Sequence, residues 1–133
     1  MKKTILALLL CFFALLSFAQ LGIGTTSPTA TLDVRGSTAH SIATKTGNYT
    51  LTANDYTILC NNSGGVTISL PAASGAAGRV YIIKKISGLL NNVTIDPNAS
   101  ETIDGLSNRV LTLQYESVMI QCDGSSWYIL SKN

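Results

Sequence analysis

The sequence predicts an all-β fold, an antiparallel β-sandwich of eight or nine short strands behind an extended N-terminal arm. Two observations lead to this prediction. From Asn48 onwards, short runs rich in Val, Ile, Thr and Tyr alternate with turns rich in Asn, Asp, Gly and Ser. The longest run, Arg79–Ile86, places apolar side chains on both of its faces, which is typical of a buried central strand.

The first nineteen residues have the pattern of a secretory signal peptide. Two lysines precede an apolar segment at residues 4–16, and small residues, Ser17 and Ala19, precede a cleavage site before Gln20. The apolar run is too short to span a bilayer comfortably, and no stop-transfer cluster follows it. We therefore expect cleavage after Ala19, no transmembrane span in the processed chain, and a secreted or cell-envelope location.

The charge balance argues against a nucleic-acid partner. The full chain has nine Lys and Arg and seven Asp and Glu, and two of the lysines lie in the signal segment. The processed chain, residues 20–133, is therefore balanced, and its longest basic run is Lys84-Lys85. Such a composition offers no electrostatic footprint for nucleic acid.

Residues 20–36 form the extended arm. Two glycines and Pro28 exclude a regular helix through its first half, and Leu32 and Val34 alternate with charged residues as a short strand. An arm this thin cannot bury its large apolar side chains against itself, so it needs the following domain or copies of itself. We assign an assembly role to four residues: Leu21, Ile23, Leu32 and Val34.

Residues 37–47 are interpreted as a linker before the β domain, residues 48–133. The linker is rich in Gly, Ser, Thr and Ala, and Ile42 is its one large aliphatic residue. The only histidine, His40, lies here without a partner nearby in sequence. We expect this histidine to be solvated and inert.

Several strands of the β domain are well defined. Val66–Leu70 alternates apolar and polar residues, and Pro71 ends it because proline cannot donate to a ladder. Asp123-Gly124 is a hairpin turn that joins Ser117–Cys122 to Ser126–Ser131.

A short motif occurs twice, at Val66–Ser74 and Val93–Ser100. Both copies begin with Val-Thr-Ile and continue into a proline turn. Two copies suggest similar hairpin corners and are too few to indicate a solenoid.

The most metal-like stretch lies between Asp96 and Gly105. It offers oxygen donors, but it lacks the glycine, the distal acid and the flanking helices of an EF-hand loop. We favour a tight β-loop with a left-handed Gly105, and we retain a weak candidate metal loop of four residues: Asp96, Asn98, Ser100 and Asp104.

Two residue pairs are further candidates. Trp127 and Tyr128 are adjacent in a strand, so one faces the core and the other could contact a ligand or another subunit. Cys60 and Cys122 both end strands, and either a disulfide or two small buried thiols is compatible with their positions.

No catalytic constellation is supported by the sequence. His40 is the only imidazole and lies in the linker, and neither a Cys/His zinc cluster nor a phosphate-binding loop is present. Four carboxylates could still meet in space, as in glycosidases: Asp96, Glu101, Asp104 and Glu116. We expect no enzyme activity and no cofactor.

The sequence resembles fibre proteins in two regions. In the arm, Gly22–Pro28 and Leu32–Gly36 are similar to a segment that recurs at the start of fibre-like surface proteins of Bacteroidetes-type bacteria and in phage tail-fibre proteins. The β domain resembles a small domain near the ends of phage tail fibres and of related secreted bacterial proteins, through these segments: Tyr49–Tyr56, Gly65–Pro71, Gly78–Lys84, Val93–Asn98, Glu101–Gly105, Tyr115–Val118 and Asp123–Tyr128.

The resemblance implies self-association. In those families the arm often precedes a trimeric stalk, although this chain has neither a heptad stretch nor a chaperone domain. The function expected is a secreted, non-catalytic, adhesive fibre-type module, a homotrimer that presents its β domain to a surface glycan or an envelope component. The alternative is a monomeric carbohydrate-binding module, and a weaker one is a small secreted hydrolase.

Overall fold

The computed structural model describes residues 20–133, and the expected signal peptide, residues 1–19, lies outside the described residues. The chain divides into two compact units after Ala39. Among the described residues, no helix is long and apolar enough to cross a membrane. Residues 20–133 form eleven strands, at Leu21–Ile23 (β1), Leu32–Val34 (β2), Ile42–Lys45 (β3), Tyr49–Thr50 (β4), Thr57–Cys60 (β5), Val66–Ser69 (β6), Val80–Lys85 (β7), Val93–Asp96 (β8), Arg109–Leu111 (β9), Ser117–Cys122 (β10) and Trp127–Lys132 (β11).

The first unit is the arm, in which β1 and β2 form a two-stranded parallel sheet. Leu21 lies beside Leu32, and Ile23 lies beside Val34. The predicted strand at Leu32–Val34 is present, whereas β1 was missed because its central glycine has a low strand propensity.

The second unit consists of two sheets. The five-stranded sheet has the order β11-β10-β7-β5-β3, and the four-stranded sheet has the order β4-β6-β8-β9. Within them β3, β5 and β7 are mutually parallel, and so are β4, β6 and β8. The antiparallel strand pairs of this unit are β7 with β10, β10 with β11, and β8 with β9.

The all-β prediction is confirmed, but the prediction of an antiparallel sandwich is wrong. The chain crosses from one sheet to the other after β3, β5 and β7, which gives three stacked coils of two strands each. The error has a physical cause. Residues such as Asn61-Asn62-Ser63-Gly64-Gly65 let the chain reverse, but they do not specify whether the next strand pairs with the last one or crosses to the facing sheet.

The repeated motif is explained by this stacking. Val66 lies in register beside Val93, and Ile68 lies beside Ile95, on neighbouring parallel strands of the four-stranded sheet. The two copies are therefore adjacent rungs of a coiled stack and not two hairpin corners. The low copy number concealed this arrangement, because the first coil, formed by β3 and β4, has a different sequence.

One core fills the space between the two sheets. Each predicted alternation is confirmed there: the inward residues of β6, β7 and β10 are buried, as are Leu70 and Trp127. β7 is the middle strand of the five-stranded sheet, as predicted, and Tyr81 and Ile83 face the core. Its other face is not covered, since Val80 and Ile82 remain partly exposed.

Part of the expected linker is a strand. Ile42–Lys45 forms β3, which pairs with β5 at the edge of the five-stranded sheet, and Ala43 packs against the core. Small residues made this segment look like a linker, although a ladder needs only backbone groups. His40 is also less isolated than expected, because its ring stacks on Tyr56 with 4.1 Å between the ring centroids.

Candidate functional site

The arm exposes three of the four apolar residues for which the sequence predicts a role in assembly. The exposed fractions are 59% for Leu21, 53% for Ile23 and 57% for Leu32, whereas Val34 is half-buried. A two-stranded sheet of this size has too little core for independent stability. The pairing of β1 with β2 therefore leaves most of the apolar surface of the arm without a partner.

Local polar contacts hold the arm in one conformation. The Asp33 carboxylate accepts hydrogen bonds from the Thr29 backbone N–H (2.9 Å) and the Thr29 hydroxyl (3.1 Å), and it lies 3.7 Å from Arg35. The Arg35 N–H donates to the Ile23 carbonyl at 2.9 Å. The connection between β1 and β2 is thus a defined arch and not a free tether.

Gly24 is required by this arch. Its φ of +73° lies in the left-handed region, and a Cβ there would stand 2.7 Å from the Arg35 carbonyl oxygen. Any side chain would therefore be strained twice, by its backbone angle and by a clash. This explains why the arm places a glycine directly after β1.

Trp127 and Tyr128 have opposite environments. Trp127 is fully buried, and its ring stacks on Tyr81 with 5.7 Å between the centroids. Tyr128 is 45% exposed, and the neighbouring Asp123 charge and its hydrogen bond raise the pKa of Tyr128 above its ordinary value. Of the pair, only Tyr128 is available to a ligand or another subunit.

The two cysteines are buried and free, and they lie at opposite ends of the five-stranded sheet. Cys60 is in register with Lys85 at one end of β7, whereas the Cys122 N–H donates to the Arg79 carbonyl beyond the other end. Six positions of strand span about 20 Å, and a disulfide needs Cα atoms within about 7 Å. Cys60 and Cys122 are therefore two separate thiols, and the disulfide that the sequence left possible is not formed.

The metal-like stretch is a structural loop. The Asp104 carboxylate accepts a hydrogen bond from the Ile129 N–H at 3.1 Å, and Asp104 and Gly105 both have positive φ, as the β-loop interpretation expects for Gly105. Within the described chain, no three His, Cys, Asp or Glu residues are close enough to share a metal ion. The four candidate oxygen donors, Asp96, Asn98, Ser100 and Asp104, are all exposed.

The other acidic candidates anchor loops. Glu116 accepts hydrogen bonds from the Thr112 and Leu113 N–H groups at 2.8 and 3.1 Å and lies 3.5 Å from Arg109. Glu101 accepts a hydrogen bond from the Ala73 N–H at 2.9 Å. These contacts give each carboxylate a structural role.

An open cleft of about 380 Å³ lies between the edge strands β9 and β11. The Nε atom of Arg109 is buried there without a hydrogen-bond partner among residues 20–133. No aromatic ring lines this cleft, which is formed mainly by six residues: Ile103, Leu106, Arg109, Ile129, Leu130 and Lys132.

A buried polar cluster that was not predicted from the sequence supports the loop after β7. In the described part of the chain, the buried polar or charged residues are Lys85, Asn62 and Ser87. The Lys85 ammonium donates to the carbonyls of Ser87 (3.0 Å) and Gly88, and the Ser87 hydroxyl donates to Asn62 at 2.8 Å. The cluster fixes a loop that exposes Leu89-Leu90. The sequence did contain a sign of this cluster, because the alternation of β7 places Lys85 at an inward-facing position.

No protein-family model matches the chain, and no curated protein is significantly similar to it.

Proposed function

We propose that the protein is a non-catalytic structural module that associates with copies of itself, as a homotrimer, outside the cytoplasm. The observation that carries the proposal is the arm, in which Leu21, Ile23 and Leu32 are each more than half exposed on a backbone that is already folded. Covering such side chains removes apolar area from water at about 25 cal/mol per Å². Copies of the same arm would offer equivalent apolar surfaces.

Two features of the sequence support the rest of the proposal. The signal-peptide pattern favours export, and the resemblance to fibre proteins favours a trimer. An adhesive role follows from these two together, with the β domain presented to a surface glycan or envelope component. A host protein fits better than a virion component, because tail proteins assemble in the cytoplasm.

The alternative is a monomeric carbohydrate-binding module. Tyr128 favours it, because an exposed ring beside the polar groups of Gln121 and Asp123 could stack on a sugar. Trp127 is buried and cannot contribute to such a platform. The hydrolase alternative is weaker still, since Glu101, Glu116 and Asp104 each accept a hydrogen bond from a backbone N–H.

The test is a charge placed on the apolar surface of the arm. Leu32→Lys should shift the processed chain towards monomers in sedimentation velocity, because burying an ammonium in an apolar contact is costly. Thr26→Lys is the matched control, since Thr26 is exposed on the same arm and its side chain makes no hydrogen bond among the described residues. Equal sedimentation of both variants and the wild type would contradict an assembly role for the arm.

A further inference from the structure

The lysines of the second unit all lie at one end of its five-stranded sheet. The parallel strands β3, β5 and β7 finish at this end, the antiparallel strand β10 starts there, and β11 returns to it. Lys45 is the last residue of β3, Lys84 and Lys85 end β7, and Lys132 is the last residue of β11. These are all the lysines in residues 40–133, and we call this the lysine end.

The carboxylates of the same unit are concentrated at the opposite end. The chain crosses from β5 to β6 and from β7 to β8 at the lysine end, so β8 runs away from it and finishes at the other end. Five of the six acidic residues in residues 40–133 lie at this acidic end, in the segments before β5, at the end of β8 and after it, and after β10. They are Asp55, Asp96, Glu101, Asp104 and Asp123.

The lysine end also carries exposed apolar side chains. Two loops lie there, residues 86–92 between β7 and β8 and residues 112–116 between β9 and β10. Their exposed large apolar residues are Leu89, Leu90, Leu113 and Tyr115, and Leu90 is 96% exposed. Isolated exposed apolar side chains are ordinary, but four of them on two neighbouring loops indicate an interaction surface.

The two loops are joined to each other and held in one conformation. The Tyr115 N–H donates to the Lys85 carbonyl at 2.8 Å, and the Gln114 side-chain amide donates to the Ile86 carbonyl at 3.3 Å. The buried Lys85 ammonium supports the first loop, and the Glu116 carboxylate accepts the N–H groups of the second. The exposed tips are therefore already ordered, which lowers the entropy cost of binding through them.

The positive charge of the lysine end is not neutralised within the chain. Lys45 and Lys84 are partly exposed and Lys132 is exposed, and no lysine of this unit forms a salt bridge with another residue of the described chain. Glu116, the one acidic side chain at this end, is paired with Arg109 and bound to its own loop. Ammonium groups therefore surround protruding leucines.

This combination fits the surface of an anionic bilayer. Binding at the interface of a bilayer combines buried apolar side chains with attraction between basic residues and anionic lipids. Fluid acyl chains accept a protruding Leu90, whereas a protein partner would need a cavity of matching shape. The separation of charge also orients the molecule, because a negative surface attracts the lysine end and repels the acidic end.

We propose that the lysine end docks on an anionic phospholipid surface, with Leu89 and Leu90 at the boundary between headgroups and acyl chains and the lysine ammonium groups beside the phosphates. This proposal goes beyond the proposed function, since it does not require self-association. After export it would hold the β domain against a membrane of the envelope, with the acidic end directed away.

The first test removes one exposed leucine at each end. The processed chain is sedimented with vesicles of equal parts phosphatidylglycerol and phosphatidylcholine. Leu90→Ser should weaken binding by about tenfold, the effect of losing one buried aliphatic side chain. Leu106→Ser is the matched control, since Leu106 is 59% exposed at the acidic end, and it should bind like the wild type. Equal binding by both variants would overturn the proposal.

The second test changes the charge of each end by the same amount. Lys132→Gln should weaken binding to the same vesicles by about fivefold at low salt, and pure phosphatidylcholine should bind the wild type more weakly than the mixture does. Asn98→Asp lowers the net charge equally at an exposed position of the acidic end and should have little effect. An equal loss in both variants would show a response to net charge alone and overturn the docking geometry.

A fluorescent label shows which end enters the bilayer. Because Cys60 and Cys122 are buried, an environment-sensitive dye can be attached at Leu90→Cys or at Leu106→Cys. The emission of the dye at position 90 should shift to the blue on addition of the anionic vesicles, and that at position 106 should not. Equal shifts, or none, would overturn the proposal. An absence of vesicle binding by the wild type would also overturn it and favour an acidic protein as the partner.

The two proposals fail separately. A chain that is monomeric at every concentration but binds vesicles through Leu90 would overturn self-association alone. A trimer that does not bind anionic vesicles would overturn membrane docking alone.

Discussion

Asp55 lies in surroundings that favour its ionised form in the folded state. Its carboxylate accepts hydrogen bonds from the Thr52 N–H and hydroxyl, both at 2.7 Å, and from the Tyr49 hydroxyl at 3.1 Å. Partial burial opposes ionisation, but these hydrogen bonds and the charge of Lys45 together lower the pKa of Asp55 below its ordinary 3.8. The turn between β4 and β5 is therefore held by a charged acceptor.

The sign of the pH dependence follows from this lowered pKa. The contribution of Asp55 is fully present above its unfolded-state pKa and is lost as the pH falls through the folded-state value. We expect Asp55→Asn to lower the free energy of unfolding by about 1 kcal/mol at neutral pH, and to lose less stability than the wild type between about pH 5 and pH 3. Urea titrations across this range measure both effects.

Asp96→Asn is the matched control, because the Asp96 side chain is exposed and makes no hydrogen bond among residues 20–133. It should retain wild-type stability at neutral pH. If Asp55→Asn shows the same acid dependence as the wild type, the carboxylate does not hold the turn.

The cysteines permit a second test at the residue scale. Both thiols are buried, and burial raises the pKa of Cys60 to about 11. Because the thiolate is the reactive form, we expect neither to react with a thiol reagent in the folded chain at about pH 8, and both to react after denaturation. A count of labelled thiols by mass spectrometry measures this. Rapid labelling of the native chain would contradict the burial, and an absence of free thiols after denaturation would contradict the separation of the two cysteines.

Residue environments were predicted best where alternation alone determines them. The inward positions of β6 and β10 follow from a period of two, and the structure buries them, as it does Trp127 in β11. To predict which of Trp127 and Tyr128 is buried, the strand register is needed as well, because alternation shows only that the two side chains point to opposite faces. The distance between Cys60 and Cys122 depends on strand order, which local sequence does not contain.

At the scale of the element, the arch of the arm makes Gly24 the most sensitive position. Gly24→Ala combines a left-handed backbone with a clash against Arg35, a strain of about 1–3 kcal/mol. We expect the amide of Arg35, which donates to Ile23, to exchange with solvent at least tenfold faster in this variant. Hydrogen exchange measured by nuclear magnetic resonance reports on this amide directly.

Gly36→Ala is the control for the arm, because a Cβ at Gly36 has no neighbour within 4 Å and its φ is ordinary. In this variant the Arg35 amide should exchange with solvent at the wild-type rate. Equal protection of the Arg35 amide in both variants would show that the arch does not depend on Gly24.

Element positions were predicted better than element partners. The structure places β6, β7, β10 and β11 within a residue or two of the strands predicted at Val66–Leu70, Arg79–Ile86, Ser117–Cys122 and Ser126–Ser131. β3 was missed because Ala43 and Thr44 lack the size that marks a strand. Its stability comes from pairing with β5, as in the hydrogen bond from Thr57 to Ser41 at 3.0 Å, and such long-range pairing is not visible in a local pattern.

At the scale of the whole molecule, β7 shows how far a sequence pattern determines packing. Apolar residues on both faces of Arg79–Ile86 predicted a strand that is buried on both sides. The structure buries the face of Tyr81 and Ile83, whereas Val80 and Ile82 on the other face are partly exposed, so the prediction is right for one face only. The sequence could not distinguish the two faces, because a pattern records that a face is apolar and not whether another sheet packs against it.

The most direct measurement is the mass of the processed chain, residues 20–133, by multi-angle light scattering over a range of concentrations. Self-association through the arm predicts particles of three chains that persist on dilution and dissociate in Leu32→Lys. A dimer would contradict the trimeric arrangement and retain self-association. A monomer at every concentration would contradict the central proposal and leave the carbohydrate-binding alternative to be tested through Tyr128.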